Sequence, residues 1–425
     1  MTTMRRISRR DLLGLGAAAG VVAVSGAPAH ALPERGGSLR LGLAGRPMGP
    51  FDGRRPFDPI MRIAGHGAVF DCLTEIGADG AIRGELATGW EASADARLWS
   101  FRLREDALFH DGRPFGAEDV VATLRLHMAG GAAAVAGLLS QVRRTGPHEV
   151  QLALREGMPG LPFLLADPQL VILPAHAPER AMAEGIGTGL YRMEAGRTPE
   201  RAVLRRVERH WKDGTAGWFD RVEILRIADP QARLEALKMG RVDAVNLADP
   251  AWEAEVRRHG RIALTAARGP AFLELSAEGA EDHHARDVAE AIAGGLDREA
   301  VLSAVSGGRG QAAAPVAGVI VRGTVSVQVA PERVPGAAAL AREIRAAAAR
   351  AGLGVSEDAP VRITARIRPG RPTPDWPAIR PEGARFVPLQ LDSVIAHATR
   401  LNHAQRIGGL WDMDSARISE RWWYS

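Results

Sequence analysis

Apolar and polar positions along this chain follow two periods, and the places where the period changes mark its elements. "LWSFRLRED" puts Trp99, Phe101 and Leu103 on one face and Arg102 and Arg104 on the other, the alternation of a half-buried strand. "HEVQLALRE" repeats it through Val150, Leu152 and Leu154. From Ala117 the spacing becomes helical, with Val120, Val121, Leu124 and Met128 on one side. Upstream, residues 39–43 form a short apolar strand that runs into a Gly/Pro-rich loop ending at Pro59, and Asp79-Gly80 is a turn between two short runs. "GIGTGLYRM" is a glycine turn entering a strand, and "AVLRRVERHW" contains another. In "FDRVEILRIADPQARLEALKMGRVDAV" a strand breaks at Asp229-Pro230, a helix carries Leu234, Leu237 and Met239, and a turn leads to a further strand, an α/β unit.

A second region begins near Ala271 with "FLELSAEG", followed by helices in "DVAEAIAGGL" and "REAVLSAVSGG". "GAAALAREIRAAAARAGLGV" is a helix with Leu340 and Ile344 one turn apart and Gly352 at its C-terminal cap. The stretch 366–388, rich in Pro, Arg and Gly, is expected to be loop.

One segment, "FHDGRPFGAEDV", gathers His110, Asp111, Glu118 and Asp119 and raises the question of acid/base or metal chemistry. The positions favour architecture. Asp111-Gly112-Arg113-Pro114 has turn chemistry, and Glu118 and Asp119 fall in the first turn of the helix from Ala117, where carboxylates meet unpaired N–H groups. Asp119 is placed as the fourth member of a capping box that begins at Gly116.

Composition narrows the function classes. With 46% hydrophobic and 24% charged residues over 425 positions, the chain can build two or more cores. The net charge is +4, and the arginines are interspersed with carboxylates, so no nucleic-acid surface is expected. Lys212 and Lys238 are the only lysines. Cys72 is the single cysteine, which excludes an internal disulfide. Gly-x-Ser-x-Gly, His-Glu-x-x-His and paired Cys-x-x-Cys motifs are absent, and "GIGTG" lacks the Gly-Lys-Ser/Thr of a phosphate loop. No catalytic residues, metal ligands or cofactor are expected. His283-His284, beside Asp282, suits an exposed loop pair better than one ion's ligands, because adjacent side chains diverge. His397 and His403 are surface or packing residues.

The first 31 residues have the form of an export signal. In "SRRDLLGLGAAAGVVAVSGAPAHA" the pair Arg9-Arg10 precedes an apolar run over 12–24, too short to span a bilayer, and Ala29-His30-Ala31 is a cleavage pattern. This resembles a twin-arginine signal, implying a free periplasmic protein cleaved after Ala31.

Several quoted stretches occur in an order that identifies a family. "ELATGWEASADARLWSFRLREDALFHDGRPFGAEDVVATL", "GTGLYRM", "VERHWKDG" with "RLEALKMGRVDAV", "DVAEAIAGGLDREAVLSAVSGGRGQAAAP" and "MDSARISERWW" resemble the extracytoplasmic solute-binding proteins of ATP-driven peptide and nickel importers, the family 5 dipeptide/oligopeptide-binding type. The resemblance implies an α/β, two-lobed periplasmic binding protein fold with mixed sheets and a hinged interlobe cleft. Lobe one would be residues 32–270 with 386–425 returning to it, and lobe two residues 271–385, shortened between Pro315 and Ala337. It implies no bond-making chemistry and no enzyme: the protein would be a monomer that captures a short peptide or similar small solute and delivers it to an ABC permease and ATPase complex in the inner membrane. A nickel or metal-chelate receptor of the same fold, and a degenerate partner or sensory protein without transport, are the alternatives. Asp375 is the expected partner of a peptide amine, with Asp58 second; Trp376, Phe57 and Phe272 are the expected apolar contacts. Gly116 stands where the family has Thr or Ser, and Leu190 where it has Pro. If the leader works as its pattern implies, the double substitution Arg9→Lys and Arg10→Lys should retain the full-length precursor in the cytoplasm, whereas the unaltered chain should appear in a periplasmic extract with Leu32 as its first residue by N-terminal sequencing.

Overall fold

The computed structural model describes residues 33–55, 57–130, 132–248, 252–279, 282–313, 320–330, 334–369, 384–408 and 412–424. The leader, Asp375 and Trp376 lie outside them. Its frame is an eleven-stranded mixed sheet that runs through two lobes. On the first-lobe side, Ser38–Leu43 lies parallel between Arg221–Arg226 and Ala244–Val245, and Arg201–Arg206 and Tyr191–Met193 complete the edge. Leu39, Leu41 and Leu43 pack with Val222, Ile224 and Phe51 in a core that Trp422, from the end of the chain, closes.

A separate antiparallel sheet carries its own core in the first lobe. Its order is Ala87–Ala92, Leu98–Leu103, Glu149–Leu154, Leu139–Gly146, with Trp99 opposite Leu152 and Phe101 opposite Val150. The alternation in the sequence sends those four side chains inward, where the helix Ala117–Met128 covers them with Val120 and Leu124. That helix starts as expected. Glycine offers no side-chain cap, so only the reciprocal half of the box forms: Gly116 N–H donates to Asp119 Oδ2 at 2.9 Å, and Asp119 Oδ1 accepts from Ala175 N–H at 2.8 Å.

In the second lobe the helices Asp282–Gly295, Arg298–Ser306 and Ala337–Arg350 pack on the strands Gly323–Gln328 and Val361–Pro369. Gly295 lets two of these helices approach closely: a Cβ there would lie 2.7 Å from the Ala347 carbonyl oxygen. Asp297 caps the second by accepting from Ala300 N–H at 3.0 Å, and Gly352 follows the third at φ +81°. His283 and His284 belong to the first turn of Asp282–Gly295 and not to a loop.

Two long strands join the lobes, Ile262–Glu278 and Arg385–Ala398, paired antiparallel from Ile262 opposite Ala398 to Ser276 opposite Arg385. The pairing slips between Ala267 and Ala271, which bends the ribbon where it passes from one core to the next. Leu273, Phe386, Leu389 and Leu391 pack in the second-lobe core and Ile395 in the first, so the packing divides within the second crossing strand, past Phe386. The expected loop over 366–388 is therefore smaller: its two ends are strand, and 370–383 falls outside the described residues. Pro388 is tolerated because a second slip, between Leu273 and Leu275, falls opposite it and removes the need for its missing N–H.

The "GTG" turn is fixed by close approach. At Gly187 a Cβ would sit 2.1 Å from the Val69 carbonyl oxygen, and at Gly189 2.2 Å from that of Ala68. Gly189→Ala should therefore destabilise the folded protein by about 3 kcal/mol, since backbone and not a flexible side chain must yield, read as a lowered urea midpoint with an unchanged slope.

Candidate functional site

Ligands of open α/β sheets bind beyond the carboxyl ends of parallel strands. Here those ends are Leu43, Arg226 and Val245, and the loop leaving Leu43 carries two of the expected contacts. The loop is tied down along its length. Ala44 N–H donates to Asn246 Oδ1 at 2.7 Å, Asn246 Nδ2 returns a bond to Ala44 O at 3.3 Å, and Arg226 Nε donates to Gly45 O at 2.8 Å. Asp58 ends it by capping the helix Pro59–Ala64, accepting from Ile60 N–H at 3.1 Å and from Arg46 N–H at 3.0 Å.

Phe57 and Asp58 together line a pocket of about 630 Å³ at this loop. Arg46, Arg54 and Arg55 stand around it, Asp52 holds Arg54 through two bonds of 2.7 and 3.0 Å, and Met182 contributes apolar surface. Phe57 is mostly enclosed, its ring in the first-lobe core. Phe272 is elsewhere: on the first crossing strand, opposite Arg368 and Gln390, buried, and not among the residues of that pocket. Near it on the same strand the buried carboxylate of Glu274 accepts from Arg366 Nε at 2.6 Å. The structure thus brings Phe57 and Asp58 together and keeps Phe272 apart.

Geometry also makes "FHDGRPFGAEDV" part of the architecture. His110 Nε2 faces Gly189 O at 2.8 Å, so it donates, and Nδ1 accepts from Gly187 N–H at 3.3 Å, which commits both ring nitrogens to the "GTG" turn. Asp111 lies 3.3 Å from His176. These contacts join the segment to two other loops.

Ionisable groups concentrate in a buried cluster that sequence reasoning did not single out. Lys212 Nζ lies 2.8 Å from Glu85, 3.0 Å from Glu420 and 3.4 Å from Asp71. Arg417 Nη1 reaches Glu85 and Glu420 at 2.7 Å each, and Arg421 binds Glu75 and Asp414. Burial works against every charge here. It pushes Glu85 up, with Arg417 and Lys212 opposing the rise, whereas for Glu75 the charges of Arg417, Lys212 and Arg421 outweigh burial and hold the carboxyl well below its usual range. Lys212 and Arg417 are held charged by the same carboxylates against the cost of burial. Among the described residues, Asp71, Glu85 and Glu420 form a group of three carboxylates close enough for one metal ion, but the Lys212 ammonium already bridges them. The sequence did offer a signal: Lys212 is one of only two lysines, and Arg417, Glu420 and Arg421 all belong to the C-terminal "MDSARISERWW".

That C-terminal stretch is conformationally costly. Met413, Asp414, Ser415 and Ala416 all have left-handed backbone, with φ of 56°, 59°, 57° and 66°, at about 1–2 kcal/mol per residue. Asp414 holds the turn by accepting from Trp422 Nε1 at 3.0 Å, from Arg421 Nη1 at 3.2 Å and from Gly408 N–H. The Ala416 carbonyl oxygen fits against Gly67, where a Cβ would lie 1.5 Å from it.

Two lobes joined by a bent pair of crossing strands, with a pocketed loop at the carboxyl edge of the first-lobe sheet, define the class of two-lobed periplasmic binding proteins. The chain belongs to the bacterial extracellular solute-binding proteins, family 5, whose middle-region model matches residues 81–349. It is similar to the nickel-binding periplasmic protein of Escherichia coli (strain K12), 27% identical over 184 residues, covering 40% of this chain and 34% of that protein. It is also similar to a probable peptide ABC transporter periplasmic-binding protein of Sinorhizobium fredii (strain NBRC 101917 / NGR234), 27% identical over 260 residues, covering 55% of this chain and 48% of that one. The matches span from about a third to about half the length of these two relatives. In fold it resembles the ABC transporter-associated periplasmic binding protein DppA of Helicobacter pylori in complex with peptide STSA, with a TM-score of 0.75 at 14% identity, covering 91% of this chain and 98% of that one.

Removing the central ammonium should be severe, because it leaves buried carboxylates without their counter-charge. Lys212→Met is expected to cost about 3–5 kcal/mol at pH 8 in urea unfolding. The deficit should shrink toward pH 5, since carboxylates whose folded-state pKa has risen regain stability as they take up protons; a deficit that grows on acidification would contradict the ion-pair role.

Proposed function

We propose that this protein is the extracytoplasmic substrate-binding component of an ABC importer and captures short peptides. Family membership carries the reading, together with the two-lobed fold it shares with DppA in complex with a peptide. The paired crossing strands, bent between Ala267 and Ala271, supply a joint about which the lobes close. A solute held between them would be presented to a permease and ATPase pair in the inner membrane. The chain acts as a monomer that reaches the periplasm through its twin-arginine leader, and it does no bond-making chemistry.

In this reading the loop after the first strand forms part of the first-lobe wall, with Phe57 as an apolar surface and the Asp58 carboxylate near a peptide amine. Arg46, Arg54 and Arg55 give the same loop the means to hold a carboxylate. Phe272 lines the second-lobe side. Asp375 and Trp376, outside the described residues, are the further contacts this reading assigns, the carboxylate to the peptide amine and the indole to an apolar side chain.

A nickel or metal-chelate receptor is the second reading, favoured by the similarity to the nickel-binding protein. Thermal unfolding of the untagged mature protein against di- to oligopeptides, nickel salt and nickel–histidine separates the two. A rise in melting temperature with peptides alone is expected, and Asp58→Asn should weaken the response by roughly tenfold, about 1.4 kcal/mol. A response to nickel or its chelate alone would establish the second reading, and none to any solute would point to a non-transport partner protein.

A further inference from the structure

Two histidines converge at the first-lobe end of the crossing strands, away from the pocketed loop. His397 lies near the end of the second crossing strand and pairs in register with Ala263 on the first. His403 follows the short strand Leu401–Asn402. Each ring has its Nδ1 turned to a backbone carbonyl: His397 to Ala398 O at 3.0 Å, His403 to Ala404 O at 2.6 Å. A carbonyl only accepts, so each Nδ1 carries the hydrogen and each neutral ring keeps a lone pair on Nε2.

Both Nε2 atoms point at one hydroxyl. Thr265 Oγ1, on the first crossing strand, is 2.8 Å from His397 Nε2 and 3.4 Å from His403 Nε2. A hydroxyl has one hydrogen and can satisfy only one of the two lone pairs. The rings are held in place: their centroids are 5.9 Å apart, and they sit 5.0 and 4.7 Å from the ring of Trp422, the side chain that closes the first-lobe core. His397 is 4% exposed, while His403 is half-buried and gives a way in from solvent.

Imidazoles oriented by Nδ1–H bonds to carbonyls, with converging Nε2 lone pairs, are arranged as metal ligands are. We propose that His397 and His403 bind a divalent transition metal of the imidazole-preferring class, copper, nickel or zinc, with the Thr265 oxygen or water in a remaining position. The ion would bridge the first-lobe end of the crossing ribbon to the segment that leads to the C-terminal turn, and so fasten that end to the first lobe. The inference is independent of the solute carried in the cleft.

The test uses untagged mature protein stripped of metal and titrated with copper(II) chloride, followed by calorimetry and electron paramagnetic resonance. One equivalent should bind with hyperfine splitting from two nitrogens. His403→Gln should weaken this site at least about tenfold and remove one nitrogen coupling, whereas Thr265→Val, which keeps both imidazoles, should retain it. If His403→Gln does not fold, the two-nitrogen signature of the unaltered protein remains decisive. The proposal fails if unaltered protein shows no such signature, if His403→Gln binds copper as the unaltered chain does, which places the ion in the cleft or elsewhere, or if Thr265→Val loses as much as His403→Gln.

Discussion

The first lobe depends on a single buried ammonium. Lys212 draws Asp71, Glu85 and Glu420 to one point, and those carboxylates come from both ends of the described chain, two from its early part and one from its last residues. Arg417 joins Glu85 and Glu420 as well, so the C-terminal segment is fastened by charge as well as by the burial of Trp422. Such a cluster is costly to desolvate and is stable only when complete. Arginine supplies nearly all of the chain's cations, yet lysine occupies this place, where a compact point charge can meet three carboxylates at once.

From this anchor the rest of the molecule can be assembled. The left-handed turn at Met413–Ala416 is affordable because Asp414, Arg421 and Trp422 hold it from three directions. The turn seats the chain end against Gly67 and completes the first-lobe core after the chain has returned from the second lobe. The crossing ribbon is thus held at one end by a charge-locked body and at the other by an alanine-lined helical layer, with its irregular pairing between them. Movement of one lobe against the other would concentrate at that irregularity and leave the packing within each lobe intact.

Local pattern foretold much of this. The strands around Trp99 and Val150, the helix from Ala117, the helix ending before Gly352 and the break at Asp229-Pro230 are all where periodicity and capping residues put them. "FHDGRPFGAEDV" is turn and helix start, and its histidine serves the "GTG" turn. Composition misled at 366–388, where pairing with neighbouring strands overrides the preference of Pro, Arg and Gly for loop. Of the expected ligand contacts, Phe57 and Asp58 share a pocket because they adjoin in sequence, whereas Phe272 depends on how the lobes are disposed.

The sequence by itself determined the elements, the family and the architecture, because helical and strand periods, caps and turn glycines act over a few residues. Tertiary structure decided which charges meet. Nothing in the spacing of Asp71, Glu85, Lys212, Arg417 and Glu420, or of Thr265, His397 and His403, says that they touch. Those contacts form only when strands distant in the chain pair and the C-terminal segment folds back, since electrostatic and hydrogen-bonding partners are selected by distance in space.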